Sequence, residues 1–407
     1  MHCRFCNHAL SHVFADLGNA PPSNSYLTAQ GLQDMEAYYP LKIWTCDKCF
    51  LTQIDEFKSH ADIFSADYAY FSSFSSSWLA HAKAYVEKMA SRFNLDSKSM
   101  VVEVASNDGY LLQYVKEKGI PCLGVEPTAS TAAAARDKGI DSREVFFGRE
   151  SAEKLRAEGF AADQMAANNV LAHVPDIRDF VAGFKTLLKP QGVATFEFPH
   201  LLQLVLHNQF DTIYHEHFSY LSLLTVEKIF AQAGLRVFDV EELPTHGGSL
   251  RVYACHADAA HTTEPAVATL LAKEKQHGMD GIAFYQGFQK KIDDLRLQFL
   301  SFLVDARKAG KSVAAYGAAA KGNTLLNYCG VKQGMIDFVC DLSPHKQGKF
   351  LPGSHIPVMV PADLDKARPD YIIILPWNIR AEVVKQLDHC RGWGAKFVVA
   401  VPGLEVF

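Results

Sequence analysis

The sequence predicts an α/β protein of three parts: a small N-terminal domain stapled by four cysteines, followed by two doubly wound domains, each a parallel sheet with helices on its faces. Three observations carry that prediction. Cys3/Cys6 and Cys46/Cys49 form two C-x2-C pairs near the start. From residue 76 to about residue 260, short apolar runs alternate with stretches of helical periodicity, and the same alternation begins again at Ser312. With 407 residues, 48% of them hydrophobic, the chain is long enough for several cores.

Residues 1–75 are rich in Cys, Pro, Asn and aromatics and have little helical periodicity before Phe57, so this part needs a staple to fold. Cys3, Cys6, Cys46 and Cys49 on two tight knuckles supply four sulfurs for tetrahedral zinc; four free thiols in a small core are the alternative. Four cysteines close the coordination sphere, so the zinc is expected to be structural. The chain between the knuckles is expected to fold around Phe14, Leu17, Tyr38, Leu41 and Trp44. The other five cysteines stand singly in apolar segments and read as core thiols.

Residues 76–262 form the second domain. Trp78, Leu79, Ala82, Tyr85, Val86 and Met89 recur at helical spacing. Strand-like 100–105, helical 110–118, strand-like 122–126 and helical 129–138 then give βαβα order, with further strands expected at 164–171, 193–198 and 237–240. Residues 263–308 read as a packed helical connector with an apolar stripe through Leu270, Phe288, Ile292, Leu295, Phe299 and Leu303. Residues 309–407 form the third domain, with strands expected at 312–316, 336–340, 371–375 and 397–401.

Forty Lys plus Arg against 45 Asp plus Glu give a net charge of -5, which lacks the basic footprint of a nucleic-acid or anionic-membrane binder. The apolar runs are short and no basic region leads into a greasy stretch at the start, so the chain is expected to be cytoplasmic, without nucleic-acid or membrane partners, as a monomer or small homo-oligomer.

Four loops concentrate groups that can do chemistry. After the first strand of the second domain, Glu103-Val-Ala105-Ser-Asn107-Asp108-Gly109 makes a sharp turn into a helix, and Glu126-Pro127 closes the next strand, where a carboxylate can accept ribose hydroxyls. No G-x-G-x-x-G is present, and Glu103 and Asp108 would repel phosphates but welcome a sulfonium and its ammonium group. That favours S-adenosylmethionine over a dinucleotide or an empty sheet. Asn168, Asn169 and His173 follow a later strand at the same sheet edge, with His173 equally readable as a structural histidine. Asp211-Thr-Ile-Tyr214-His215-Glu216-His217-Phe218 is the densest titratable cluster and lacks the H-E-x-x-H spacing of a zincin. If a bend gathers it, His217 can serve as a base near neutrality, Glu216 can orient it or bind substrate, and Tyr214 can hold a developing enolate; a solvated loop is the alternative. His246-Gly247-Gly248 with Arg251 suits close approach of a phosphorylated or hydroxylated ligand, or a plain turn.

In the third domain Gly317-Ala-Ala-Ala-Lys321-Gly-Asn323 follows a strand and opens a helix, and Asp341 ends the next strand. This G-x-A-x-x-G fits a nucleoside diphosphate, with NAD or no ligand as alternatives. Lys346, Lys349, Trp377 and Asn378 lie in nearby loops.

Taken in order, C-x2-C…C-x2-C, Tyr68-x-Tyr70 with its serine run, Glu-Val-Ala-Ser-Asn-Asp-Gly, Asn-x-x-x-His-Val-Pro, Tyr-His-Glu-His-Phe, Leu-Pro-x-His-Gly-Gly-Ser-Leu-Arg and Tyr-Gly-Ala-Ala-Ala-Lys-Gly-Asn resemble the S-adenosylmethionine-dependent sugar C-methyltransferases that act on nucleotide-linked 4-keto-deoxysugars. The resemblance spans essentially the whole chain. It implies a zinc-binding N-terminal domain, a central Rossmann-like class I methyltransferase domain and a C-terminal Rossmann-like domain that helps hold a nucleotide-diphosphate sugar. It also implies that His217 is the base, with Glu216, Tyr214, His173 and Tyr70 or Tyr68 around it. Two positions depart from the family pattern: Ala105 stands where a glycine is common, and His215 where an acidic residue is often found. Methylation of a sugar oxygen or amine, nucleotide-sugar binding without catalysis, and an NAD-dependent oxidoreductase are the rival functions.

Overall fold

The computed structural model describes residues 1–57 and 71–407. The expected Tyr68 and Tyr70 lie outside the described residues. Near the N-terminus, β1 (His12–Ala20), β2 (Tyr39–Thr45) and β3 (Thr52–Ile54) pair antiparallel. Phe14, Leu17 and Leu41 are buried as expected. Tyr38 is not: it remains 44% exposed, and Trp44 lies half-buried with the Lys42 ammonium 5.3 Å from its ring centroid. Trp44 lies on the face of β2 opposite Leu41 and Ile43, and Tyr38, just before that strand, turns its hydroxyl to the Gly353 carbonyl at 3.5 Å.

The second sheet is built from β4 (Val101–Val104), β5 (Cys122–Val125), β6 (Ser142–Arg143), β7 (Ala162–Asn168), β8 (Leu188–Pro199), β10 (Leu235–Leu243) and β11 (Ser249–His256), in the order β10-β11-β8-β7-β4-β5-β6. From β8 to β6 the strands are parallel; β11 and β10 add an antiparallel edge. All four residues of β4 are buried, because helices cover both faces of a parallel sheet and no side is left for polar alternation. Helix Ser76–Arg92 buries Ala82, Tyr85, Val86 and Met89 on one stripe and is capped by the Ser75 hydroxyl, which accepts from the Trp78 amide.

One short strand leaves this unit. β9 (Ser219–Tyr220) pairs antiparallel with β3, so the first sheet is completed by the residues that immediately follow the Tyr214–Phe218 cluster. The third sheet contains β12 (Val313–Tyr316), β13 (Val339–Cys340), β14 (Val358–Met359), β15 (Tyr371–Ile374), β16 (Lys396–Val399) and β17 (Glu405–Val406), in the order β14-β13-β12-β15-β16-β17. All pairings are parallel except the last.

The segment read as one connector divides between two cores. Helix Pro265–Gln276 contributes Val267 and Leu270 to the core of the second sheet. Helix Phe288–Lys308 buries Phe288, Ile292, Leu295, Phe299 and Leu303 in a core shared with β1 and the third sheet, where Phe288 stacks on Phe14 at 4.6 Å. Helical periodicity reveals that a face will be buried, but not against what.

Glu274, in the Lys-Glu-Lys-Gln end of the first of these helices, has no exposed surface. Its Oε1 accepts from the Leu223 amide at 2.7 Å and bonds His200 Nε2 at 2.8 Å, while Oε2 accepts from the Leu224 amide at 2.8 Å. The carboxylate thus caps helix Leu223–Ala233, where a negative charge is favoured. Replacing Glu274 with Ala leaves two amides and an imidazole buried without their acceptor. The expected cost is about 3 kcal/mol or more, read as a lowered midpoint in urea unfolding.

Candidate active site

At the carboxyl edge of the second sheet the loops after β4, β5 and β7 splay around the point where the strand order reverses, which is where open α/β sheets bind ligands. There they enclose a cleft of about 820 Å³. Of the residues expected to bind cofactor, Ala105, Asn107, Glu126, Pro127, Asn168 and Asn169 line it; Glu103, Asp108 and Gly109 do not. Glu103 is fully buried beside the Tyr110 hydroxyl, and burial pushes its carboxyl well above the usual carboxylate range. Asp108 pairs with Lys138 at 3.1 Å. Gly109, at φ +75°, lies where a Cβ would stand 2.4 Å from Ile140, so its role is close packing under the loop.

The pocket fits an adenosyl ligand. Val104, Val125 and Phe146 give an apolar wall. Glu126 accepts from the backbone amides of Asn107 and Thr128, both at 2.9 Å, which leaves acceptor capacity on Oε2 for a hydroxyl. Among the described residues, neither amide atom of Asn168 nor Oδ1 of Asn169 has a hydrogen-bond partner, although all three are buried. Native proteins rarely leave such groups unpaired without a ligand to receive them. Ala105, Asn107, Asn169 and His246 all line the cleft with φ between 49° and 56°, a left-handed conformation that is costly for residues with a Cβ. The glycine common at the position of Ala105 suits that conformation.

The 210–218 segment does bend. A turn over Phe210–Thr212 precedes it and β9 follows, and the cluster divides three ways. Asp211 points to the third sheet, where Oδ2 accepts from Trp377 Nε1 at 2.6 Å. His215 turns to the N-terminal unit and bonds the Tyr39 carbonyl at 3.3 Å. Tyr214, Glu216 and His217 line the cleft. His217 is oriented by a backbone carbonyl: its Nδ1 donates to Thr212 O at 2.8 Å, which leaves Nε2 as the unprotonated nitrogen of the neutral ring. Around it, Tyr214 lies 4.0 Å away and His173 4.5 Å away, centroid to centroid. Glu216 Oε1 accepts from Asn24 Nδ2 at 2.8 Å.

Desolvation sets the charges here. His173 and His246 are both lowered to about 4 by loss of water, and His217 is held well below its usual range first by burial and then by the cost of placing a second positive charge beside His173, His246 and Lys321. All three are neutral at pH 7. Burial raises Asp211 to about 6, opposed by nearby Lys321, and burial lowers Lys321, whose Nζ donates to Asn378 Oδ1 at 2.7 Å and sits 4.7 Å from the Trp377 ring centroid.

The expected substrate residues are only partly brought together. His246 lines the cleft, its Nε2 bonded to the Asn169 amide at 3.1 Å, and Lys346 reaches it from the third unit along with Ala319 and Ala320. Gly247, Gly248, Arg251, Gly317, Lys321, Asn323, Asp341, Trp377 and Asn378 stand behind this surface. Gly247 has φ +88°, and a Cβ there would come 2.4 Å from the Trp377 ring, so this glycine lets two units close on each other. Arg251 is taken up by Glu197 at 2.6 Å and by Glu241 at 3.2 Å. Asp341 accepts from the Ala318 amide at 2.7 Å. Asn24, Trp78 and Tyr110 line the cleft without having been expected there. Asn24 lies in a polar loop after two prolines and belongs to no motif, whereas Trp78, an aromatic in the first turn of a helix at a sheet edge, carried a usable signal.

The four cysteines meet. Their sulfurs lie within 4.8 Å of one another, with Cys3–Cys49 and Cys6–Cys46 both at 3.5 Å. Tetrahedral zinc with Zn–S bonds of about 2.3 Å requires sulfur–sulfur edges of about 3.8 Å, so the set fits that ion.

A Rossmann-like sheet with a ligand cleft at its reversal point, joined to a four-sulfur site and a further α/β unit, defines a methyltransferase of composite build. Residues 3–64 match a family described as a zinc binding domain, residues 78–240 a methyltransferase domain, and residues 244–402 a C-methyltransferase C-terminal domain. Over 400 residues the chain is 34% identical to the C-methyltransferase NovU of Streptomyces niveus, covering 98% of this chain and 95% of that one. The chain belongs to this family of C-methyltransferases: it is an enzyme that methylates carbon, with S-adenosylmethionine as its cofactor and a zinc-binding N-terminal unit. Among solved structures, the magnesium protoporphyrin IX methyltransferase of Synechocystis overlaps 44% of this chain and 82% of its own, at 14% identity and a TM-score of 0.35. An S-adenosylmethionine-dependent methyltransferase of Clostridium acetobutylicum overlaps 43% and 90%, at 12% identity and 0.35. Among the described residues, no helix is long and apolar enough to cross a membrane.

Two predictions follow from this geometry. Replacing Cys46 with Ser is expected to reduce bound zinc from about one equivalent per chain to a small fraction, measured by elemental analysis of the purified protein. Between pH 6.5 and about 4 the unfolded chain protonates histidines 173, 217 and 246 while the folded chain resists. Stability should therefore fall as pH falls through that window, by ~1.4 kcal/mol per pH unit for each unmatched proton. Asp211 opposes one of the three from about pH 6 down to 3.8, since its folded form holds the proton more tightly. Thermal midpoints across pH, with His173→Gln and His246→Gln flattening the slope, check this.

Proposed function

We propose that the protein methylates carbon 3 of a nucleotide-linked 4-keto-deoxysugar, with His217 as the base. The orientation of His217 supports this most directly. The Thr212 carbonyl fixes its Nδ1–H, so Nε2 presents a lone pair inside a cleft shared by the cofactor loops and the third unit. A carbon-bound proton is lost near neutral pH only beside an electron sink, and a ketone at carbon 4 makes carbon 3 acidic. His217 Nε2 accepts that proton, and the electron pair moves onto the ketone oxygen as an enolate. Tyr214, packed against the same imidazole, is positioned to donate to that oxygen. His173 and His246 are neutral, so they add polar contacts without competing positive charge near the base. When bound, S-adenosylmethionine supplies an electrophilic methyl group.

Lys346 and the Ala319–Ala320 backbone at the start of helix Ala320–Cys329 face the cleft from the third unit, where an amide-rich helix end and an ammonium suit a diphosphate. Lys321 supports this wall from behind by stacking on Trp377. Tyr68 and Tyr70 remain candidates for the same site, and a cytoplasmic enzyme fits a nucleotide-sugar substrate.

Replacing His217 with Asn is expected to lower kcat by about 10²-fold or more and to abolish solvent deuterium wash-in at carbon 3 of a 4-keto substrate. Undiminished exchange would remove His217 as the base. Equal turnover of the 4-keto sugar and its 4-hydroxy counterpart would point to oxygen or nitrogen methylation instead.

A further inference from the structure

The loop between β1 and β2 belongs to the N-terminal unit in sequence, yet it runs along the other two units beside the cleft. Leu27 and Phe350 exchange two backbone hydrogen bonds, Leu27 N to Phe350 O at 3.0 Å and Phe350 N to Leu27 O at 2.8 Å. The Tyr26 hydroxyl donates to the Ala318 carbonyl at 2.5 Å, and Lys346 donates to the same carbonyl at 2.8 Å. Asn323 Nδ2 donates to the Ser23 carbonyl at 2.7 Å, and the neighbouring Thr324 hydroxyl donates to the carbonyl of Ile213, in the active-site segment, at 2.9 Å. At the centre of this junction Asn24 lines the cleft and donates to Glu216.

We propose that Asn24 is a positioning residue for methyl transfer: the N-terminal unit contributes it as a strap that fixes the Glu216 carboxylate, and through Glu216 the adjacent His217, in the working arrangement. An amide N–H on a carboxylate favours its ionised form and limits its rotation. Residues 23–27 are anchored to the third unit on both sides of Asn24, so the amide is held by structure outside the catalytic segment. This gives the zinc a function in the reaction without any contact with the reacting atoms. The metal closes the unit from which the strap emerges, and β9 extends that unit's sheet to within two residues of His217.

This rests on the reading of His217 as base, and the test separates the two. In the zinc-loaded full-length enzyme, Asn24→Ala and Asn24→Ser are compared with Asn24→Gln and with His217→Asn. Binding of S-adenosylhomocysteine by calorimetry and the thermal midpoint serve as controls. Expected for Ala and Ser is a fall in kcat on the order of 10²-fold, as for a misplaced reacting group, with KM for the sugar changed less, donor affinity unchanged, and the acid limb of the kcat/KM profile moved to higher pH. Asn24→Gln, which keeps the amide, is expected to recover part of kcat. Asn24→Ser keeps the site polar and stands in if the alanine variant does not fold. Normal kcat and pH profile in Asn24→Ala and Asn24→Ser alongside an inactive His217→Asn would overturn the strap and leave the base intact. Full activity in His217→Asn would overturn the reading beneath it. Loss of donor binding or of the thermal midpoint in step with kcat, without recovery by Gln, would reduce Asn24 to a structural role and also overturn the proposal.

Discussion

A single hydrogen bond, from His217 Nδ1 to the carbonyl of Thr212, determines what the cleft can do. It selects the tautomer and aims the lone pair, while burial keeps the imidazole neutral. The bond spans five residues, so it exists only while the chain between them keeps its bend. The bend is pinned from both ends. On one side the Thr212 hydroxyl donates to Gln209 O and Thr324 donates to Ile213 O; on the other, Phe218 to Tyr220 lie against β3. One residue's geometry therefore draws on all three units.

The small zinc-stapled sheet is built into the methyltransferase domain, whose core takes in Cys3, Phe5, Cys46, Cys49 and Leu51. A catalytic segment on a loop also needs walls. The N-terminal sheet supplies one through β9, the His215–Tyr39 bond and Asn24, and the third unit supplies the other through Thr324 and the Asp211–Trp377 bond. Tyr214, Glu216 and His217 reach one cleft while His215 turns to the N-terminal unit, because the bent backbone gathers side chains that a regular strand or helix would send apart.

The strand and helix runs of both α/β units were legible because fully buried parallel strands read as short apolar runs bounded by turns, as in β4, β5 and β15. The cysteine site was legible because ligand spacing is a local property. Long-range partnership was not. Glu274 sits in a Lys-Glu-Lys-Gln stretch that reads as a solvated face, yet it caps a helix from another segment. The 263–308 stripe was visible, but its division between two cores was not. Two-residue strands such as β9 and β14 carry too little pattern to detect. The same limit applied to the site: residues contributed by motifs, such as Glu126, Asn168, Glu216 and His217, reached the cleft. Arg251 and Lys321 were expected at the ligand surface but are held by Glu197 and by Asn378 behind it, because a basic side chain in a motif looks the same whether its partner is a ligand or a carboxylate.

The claim that the site depends on a preset neutral imidazole is open to direct observation. In nitrogen-15 histidine-labelled enzyme, with His217 assigned by comparison with His217→Asn, long-range proton–nitrogen correlation at pH 7 reports which ring nitrogen carries hydrogen. The Nδ1-protonated neutral tautomer, persisting when S-adenosylhomocysteine is bound, is the expected result. An Nε2-protonated ring or an imidazolium at that pH would contradict the account, since neither offers a lone pair to the cleft.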